Sequence, residues 1–209
     1  MSSKIVPEYD SKNIFIKRLF LKRLKISIDL FDIIFKQKEI INVADFGCGD
    51  GILLKLLEER FRNIKTYGLD ILPEIFSLKE SLRADIIVTD LRKTNFSDNF
   101  FDTIFCLDTL EHFESLKEPV GEIKRTLKND GLLIVSLPTE NIIYKLGRFL
   151  LKGTFSSKKG PSSSPHFHGA KEIREFLLEN SFTLIKKEKI TKIPFFKFFE
   201  IILFKKVAP

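Results

Sequence analysis

The chain has 209 residues, 44% of them hydrophobic and 30% charged, which is the composition of a globular protein with a sizeable core. Its formal net charge of +7 is compatible with an anionic partner, such as nucleic acid or a membrane surface, and a lysine-rich composition alone is the alternative explanation. The first residues lack a signal-peptide core, and no uncharged apolar stretch reaches the roughly 20 residues of a membrane span, so we expect a cytoplasmic protein.

The first predicted element is an N-terminal amphipathic arm. Apolar residues recur at helical spacing from Ser11 to Phe35, with Lys and Arg between them. We therefore divide the chain into a helical arm at 1–38 and a main domain at 39–209. A helix that caps the domain is the simplest interpretation of the arm. A lid over a substrate and a basic helix at a membrane surface are the alternatives.

A glycine-rich turn follows the first predicted strand. The apolar run Ile40–Phe46 leads into Gly47, Gly49 and Gly51, and a helical pattern begins at once at Ile52. Glycines let a ligand approach the backbone closely, and the start of a helix attracts anionic groups. The order strand, tight turn, helix therefore predicts a small-molecule site at the carboxyl end of a strand.

The segment Asp45-Phe-Gly-Cys-Gly-Asp-Gly51 resembles the first motif of the class I S-adenosylmethionine (SAM) dependent methyltransferases, and the resemblance covers about 40–182. A dinucleotide fingerprint fits less well, because Ile52 holds the place of its third glycine and Asp45 would repel a pyrophosphate. The resemblance implies SAM as the cofactor, with its amine close to the following residues: Asp45, Gly47, Cys48 and Gly49.

The next two strands also end in acids. The strand 65–70 ends in Asp70, which lies at the distance from the glycine turn where a carboxylate meets a ribose diol. We assign Asp70 and the adjacent Ile71 to the cofactor; a helix-capping acid before Pro73 is the alternative. The strand 84–89 is followed by Asp90 and Leu91. The resemblance implies that this carboxylate accepts the adenine amine and that the Leu91 backbone lies near the ring; a solvated loop Asp is the competing interpretation.

Three histidines are candidates for a general base. The buried strand 100–107 ends at Leu107, which we also assign to the cofactor, and Leu-Glu-His112 follows shortly after it. That tripeptide is similar to the ubiquinone-biosynthesis-like branch of the family, and His112 is the best-placed base for an oxygen acceptor. His166 and His168 are the others. A helix-entry or packing role is the alternative for each, and we predict no metal site because H-x-H lacks an evident third ligand.

The remaining pattern completes the fold. A helix at 116–127, a turn at 129–131 and a strand at 132–137 precede a basic insertion at about 141–165 that we expect to be mobile. A helix at 169–180 and a strand at 182–190 follow. The Phe-rich segment 195–207 is predicted to be an antiparallel strand; membrane contact or dimer formation is the alternative. The fold class is α/β: a doubly wound, mostly parallel seven-stranded Rossmann-like sheet with a C-terminal antiparallel hairpin.

The functional hypothesis is a SAM-dependent methyltransferase that acts on a small or lipid-linked acceptor, at an oxygen. The segment 142–152 or the Phe-rich end would provide peripheral contact with the inner membrane surface, and a homodimer is compatible with the sequence. An RNA substrate is less favoured, because no N-P-P-Y-type tetrapeptide or appended RNA-binding module is evident. A non-catalytic SAM-binding assembly subunit is the alternative from a different class.

Overall fold

The structure is a computed structural model, and it describes residues 14–35, 41–138, 166–190 and 199–207. The predicted insertion at 141–165 and the first part of the Phe-rich segment, at 195–198, lie outside the described residues. The helices and strands are α1 (Ile14–Ile34), β1 (Ile41–Phe46), α2 (Ile52–Arg60), β2 (Ile64–Asp70), β3 (Asp85–Val88), β4 (Phe101–Leu107), α3 (Lys117–Thr126), β5 (Leu127–Pro138), α4 (Ala170–Glu179), β6 (Phe182–Lys189) and β7 (Phe199–Lys206). Short 3-10 helices occupy Pro73–Glu80 and Leu110–His112.

The described strands form one seven-stranded sheet in the order β3-β2-β1-β4-β5-β7-β6. The first five strands along the chain pair in parallel, and β7 pairs antiparallel with both β5 and β6. The predicted doubly wound, mostly parallel sheet with a C-terminal antiparallel hairpin is therefore confirmed. Because parallel strands point the same way, the carboxyl ends of β1 to β5 share one edge of the sheet, and the strand order reverses beside β1.

Helices cover both faces of this sheet. On one face, α1 and α2 pack on the sheet through residues such as Leu24, Phe31 and Leu57. On the other face, α3 and α4 do so through residues such as Ile123 and Leu177. The strands supply both faces because successive side chains point to opposite sides. Phe105 of β4, for example, packs with α1, whereas the two residues beside it face α3.

The region 129–131 differs from its prediction as a turn. The structure counts these residues within β5, where Asp130 has a φ of 63°. The β4–β5 register jumps here, since Phe101 pairs with Leu127 whereas Thr103 pairs with Leu132. Three extra residues on β5 are therefore accommodated inside the strand as an irregularity. The turn-forming residues act as a bulge instead of a connection.

The described part of the Phe-rich segment is an interior strand of the sheet. Within β7, Phe199 and Phe204 are buried, and so are the aliphatic residues between them. The predicted antiparallel strand is confirmed, and its apolar side chains contribute to the cores on both faces of the sheet. Among the described residues, no helix combines the length and the apolar character that a membrane crossing requires.

Candidate functional site

The glycine turn between β1 and α2 has a backbone that other residues rarely adopt. Gly47, Gly49 and Gly51 have φ angles of 86°, 47° and 68°. A Cβ atom on Gly47 would lie 2.3 Å from the Thr109 Oγ1, so the strand end and the segment after β4 approach each other only because residue 47 is glycine. The turn thus brings backbone N–H groups and the start of α2 to the carboxyl edge of the sheet.

Asp45 is a buried acid at the end of β1. Its residue is 3% exposed, and burial, reinforced by the neighbouring Asp70 charge, raises its pKa to about 7, with Arg23 opposing the shift. A carboxylate in this position is costly to ionise unless a cation approaches it. The site therefore favours a positively charged group on the ligand, which is the property that the sequence predicted for this acid.

Asp70 ends β2 and fixes the loop around it. Its Oδ2 accepts the Gly49 N–H at 3.0 Å, and its Oδ1 accepts the Leu72 N–H at 3.2 Å. A carboxylate has about four acceptor positions, so it keeps capacity for the two hydroxyls of a ribose. Next to it, Ile71 and Phe76 are 62% and 60% exposed, which gives this acid an apolar neighbourhood in contact with solvent.

Asp90, after β3, is held within its own loop. Both carboxylate oxygens accept from the Arg92 guanidinium, at 2.6 to 3.0 Å, and Oδ1 also accepts the Arg92 backbone N–H at 2.9 Å. These bonds lower the pKa of Asp90 below its usual value. Leu91 and Leu107 are both buried. Asp90 is thus an ionised acceptor at the predicted strand end, already paired with an arginine.

A buried ion pair links the N-terminal helix to the end of β4. Arg23 of α1 is 4% exposed and pairs with Asp108, whose other carboxylate oxygen accepts from the Ser136 hydroxyl at 2.7 Å. The Arg23 guanidinium also lies 5.0 and 5.4 Å from the ring centroids of Phe20 and Phe199. The arm is therefore built into the edge of the site, and it packs against the domain as a capping helix does.

Two of the three histidines lie together. The ring centroids of His112 and His166 are 4.9 Å apart, and the Phe167 N–H donates to the Glu111 carbonyl at 2.7 Å. That backbone bond joins two segments that are more than 50 residues apart in the chain. Glu111 itself is fully buried, and burial raises the pKa of its carboxyl to about 7. The segment after β4 and the segment before α4 thus form one polar group.

His168 takes a different position. Its Nδ1 lies 2.7 Å from Glu172 Oε1 and its Nε2 lies 3.2 Å from the Glu114 carbonyl oxygen. Both ring nitrogens therefore have partners, one in the first turn of α4 and one in the segment that precedes α3. The structure brings His112 and His166 together and assigns His168 to the entry of that helix, which is one of the two roles weighed from the sequence.

Cys48 and Cys106 are free and buried thiols. Burial, with nearby carboxylates, raises the pKa of both, so neither is a nucleophile at neutral pH. Cys48 contributes packing beneath the glycine turn, in a small apolar cluster with Leu54 and Ile75. Cys48 therefore belongs to the predicted cofactor turn, and its buried side chain supports that turn by packing in the core.

Sequence reasoning missed four residues of this region: Arg23, Asp108, Thr109 and Ser136. Arg23 carried no signal, because it is one of many basic residues in the arm. Asp108 and Thr109 were readable only as the segment after a buried strand, although Asp108 has a φ of 52°, a conformation that Asp adopts more readily than most residues. Ser136 faces the site because β5 is the parallel neighbour of β4, which the sequence does not specify.

Comparison with known proteins shows which proteins this chain is similar to in sequence. Residues 44–135 match the family model described as a methyltransferase domain. An uncharacterised protein of Methanocaldococcus jannaschii is 36% identical over 114 residues, which are 53% of this chain and 47% of that protein. The ubiquinone biosynthesis O-methyltransferase of Rickettsia typhi is 22% identical over 54% of this chain and 48% of its own length. The chain spans about half the length of the curated relatives it matches.

Solved structures show the same fold over most of the chain. A SAM-dependent methyltransferase of Methanosarcina mazei has a TM-score of 0.68 at 19% identity, over 86% of this chain and 98% of that one. The glycine turn, the buried Asp45 and the acceptor atoms of Asp70 fit a cationic aminoacyl nucleoside. The match of 44–135 to a methyltransferase domain and the shared fold are therefore those of SAM-dependent methyltransferases, to which this chain is similar.

Proposed function

We propose that this chain transfers a methyl group from SAM to an oxygen atom of a small or lipid-linked acceptor. The observation that carries the proposal is the shared edge of the sheet. There the glycine turn and three strand-end acids, Asp45, Asp70 and Asp90, stand beside the polar segment that follows β4. One side of this edge suits the cofactor, and the other side is left for an acceptor.

On the cofactor side, this chain's residues bind and orient. Bound SAM supplies an electrophilic methyl group on a sulfonium, so catalysis depends on alignment and the exclusion of water. Asp45 would face the amine, Asp70 the ribose, and the loop of Asp90 the adenine. The exposed side chain of Ile71 offers an apolar surface for a ring. None of these residues needs to form a covalent bond.

On the acceptor side, the histidine pair supports an oxygen nucleophile. A hydroxyl must lose its proton on transfer, and an imidazole is a suitable base near neutral pH. His112 and His166 lie at the carboxyl edge, immediately after β4 and before α4. The likeness to a relative named as an O-methyltransferase supports the same assignment, and it is limited to about half of each chain. It also supports a place in the ubiquinone-biosynthesis-like branch.

The proposal is tested by incubating the protein with methyl-labelled SAM and cell extract separated into lipid, small-metabolite, RNA and protein fractions. We expect label in the lipid or small-metabolite fraction. Release of that label by mild base would indicate a methyl ester, and resistance to mild base would indicate a methyl ether. Asp70→Ala should strongly reduce the labelling at subsaturating SAM, whereas Asp85→Ala, at the start of β3 and away from the carboxyl edge, should retain it. Label in RNA or protein would contradict the proposed acceptor class.

Binding of SAM without methyl turnover on any fraction, together with a stable heteromeric complex, would instead indicate a non-catalytic assembly subunit. Retention on anionic liposomes but not on tRNA would support a lipid-linked acceptor over an RNA one. The segment 142–152, which lies outside the described residues, is the part of the chain that we propose for such a contact. Deleting it should then reduce liposome retention and leave SAM binding unchanged.

A further inference from the structure

The polar group after β4 contains a carboxylate for which the structure provides no hydrogen-bond partner. Glu111 is 0% exposed, and within the described residues neither of its carboxylate oxygens makes a hydrogen bond. A buried carboxylate without a partner is costly, by several kcal/mol on general grounds of desolvation, unless a cation or proton compensates it. Arg23, whose positive charge acts on this carboxyl, already pairs with Asp108.

Two imidazoles complete the surroundings of this carboxylate. One ligand atom from each of Glu111, His112 and His166 lies within 4.8 Å of the other two. Both histidines are half-buried, and the Phe167 N–H bond to the Glu111 carbonyl holds the two chain segments in register. Bonds of about 2.0 to 2.2 Å to a metal would require these atoms to approach by roughly 1 Å, a change that side-chain rotation supplies.

We propose that Glu111, His112 and His166 bind a divalent transition-metal ion such as Zn²⁺, through two imidazole nitrogens and one carboxylate. Two histidines and one carboxylate are a donor set that zinc accepts in catalytic sites, with further positions left open. In the sequence, His166 and His168 form the H-x-H pair, for which no third ligand is evident. In the proposed site His166 is instead combined with Glu111 and His112, and His168 takes no part.

The site lies next to the proposed cofactor edge, because Glu111 lies two residues after Thr109, whose hydroxyl donates to the Phe46 carbonyl at 3.2 Å beside the glycine turn. An acceptor hydroxyl that occupied an open position of the ion would become more acidic. In the metal-loaded protein, this effect would replace the general-base role that the proposed function gives to His112 and His166. This catalytic part rests on the proposed function. The binding of the ion does not, and it is tested without SAM or acceptor.

The test is titration of chelator-treated protein with Zn²⁺, and with Co²⁺ as a spectroscopic probe, near neutral pH. We expect about one equivalent to bind, with the visible absorption of Co²⁺ in nitrogen and oxygen coordination and without the intense thiolate bands that Cys48 or Cys106 would give. Glu111→Gln and His166→Ala should each weaken binding by about 100-fold or more, since even outer-shell changes cost 10- to 100-fold. Bound Zn²⁺ should also raise the Tm of the unmodified protein.

His168→Ala is the matched control, because His168 belongs to the same H-x-H segment but contacts Glu172 and Glu114. Its metal affinity should stay within about twofold of that of the unmodified protein, since it supplies no ligand. Circular dichroism and cooperative thermal unfolding of each variant show whether the fold persists. The proposal is overturned if the folded protein binds no ion, if Glu111→Gln leaves the affinity unchanged, or if His168→Ala weakens it as strongly as His166→Ala.

Discussion

The two halves of the proposed site, one for SAM and one for the acceptor, are built in different ways. The cofactor half comes from one continuous stretch, β1 to β3, whose turn glycines and strand-end acids follow one another in the sequence. The acceptor half is assembled from separate segments: Arg23 in α1, the residues after β4, Ser136 in β5 and His166 before α4. A local arrangement can be recognised from its motif, whereas an assembled one depends on packing between distant elements.

This difference has a physical reason. A strand, a turn and a helix that follow one another form mainly through contacts between near neighbours in the sequence. The turn glycines and the strand-end acid therefore occur at fixed separations that can be recognised in the sequence. The acceptor half depends on the sheet order and on the Arg23–Asp108 pair, neither of which leaves a periodic signal. We therefore expect substitutions in the first half to affect SAM binding, and those in the second half to affect stability and acceptor chemistry. The following predictions test that separation, from the largest expected effect to the smallest.

Gly47→Ala should have the largest effect, because it strains the turn and places a Cβ against Thr109. A positive φ for a non-glycine residue and overpacking each cost about 1–3 kcal/mol, so we expect a loss of about 2–6 kcal/mol in the free energy of unfolding. Calorimetry should detect no SAM binding. Chemical denaturation measures the stability change.

Gly121→Ala provides the control for this variant. Gly121 is an exposed residue of α3, and a Cβ there would meet no atom within 4 Å. Alanine is the better helix former, so the substitution should stabilise the protein by about 0.5–1 kcal/mol and leave SAM binding unchanged. Equal losses in the two variants would show that the space at Gly47 is not the cause.

Arg23→Met should destabilise the protein by about 3 kcal/mol, because it leaves the Asp108 carboxylate without its buried cation. The double variant Arg23→Met with Asp108→Asn should lose less than the sum of the single losses, since the two residues interact directly. Arg60→Met is the control, because Arg60 of α2 also pairs with acids of α1, namely Asp29 and Asp32. Those pairs are exposed and contribute less than about 1 kcal/mol. Additive single effects of Arg23 and Asp108 would contradict the assigned pair.

Asp70→Ala should weaken SAM binding by roughly 100-fold, which is about 2.7 kcal/mol, since it removes both the ribose acceptor and the acceptor of the Gly49 N–H. Asp70→Asn keeps one oxygen acceptor and should lose less. Calorimetric titration of the two variants measures the difference. A larger loss in the Asn variant than in the Ala variant would contradict the role of the carboxylate as an acceptor.

The pH dependence of binding should follow Asp45. Its folded pKa of about 7 lies above the ordinary 3.8, so the folded protein holds this proton over a range in which the unfolded chain has lost it. Stability of the ligand-free protein should therefore fall as pH rises from about 4 to 7, by linkage. A cationic amine favours the ionised carboxylate, so SAM affinity should fall as pH drops below about 7, by up to ~10-fold per pH unit.

Asp45→Asn separates the two effects. Without an ionisable group at this position, the variant should bind SAM weakly with little dependence on pH between about 5 and 7, and it should be more stable than the unmodified protein above pH 7 in the absence of ligand. Thermal unfolding and calorimetry at several pH values provide both quantities. An unchanged pH profile in the variant would assign the titration to another group, with Glu111 the first to consider.

Most elements of the fold could be predicted because their patterns are local. The buried residues of β4 and β7 and the amphipathic spacing of α3 gave their positions to within a few residues. The beginning of β5 was wrong, since Asn129-Asp-Gly131 is typical of a turn and only the pairing with β4 shows a bulge. The candidate metal ligands could not be predicted together, because no spacing in the sequence relates Glu111 to His166. They are brought together by a backbone hydrogen bond between two distant segments.

The central claim, that the carboxyl edge of β1 to β3 binds a cationic aminoacyl nucleoside, is tested most directly by calorimetric titration of the unmodified protein with SAM and with S-adenosylhomocysteine. We predict saturable binding of both, with a stoichiometry of about one per chain, and a strongly reduced affinity in Asp70→Ala. Absence of heat and of any thermal stabilisation with either compound, in protein shown to be folded, would contradict the account.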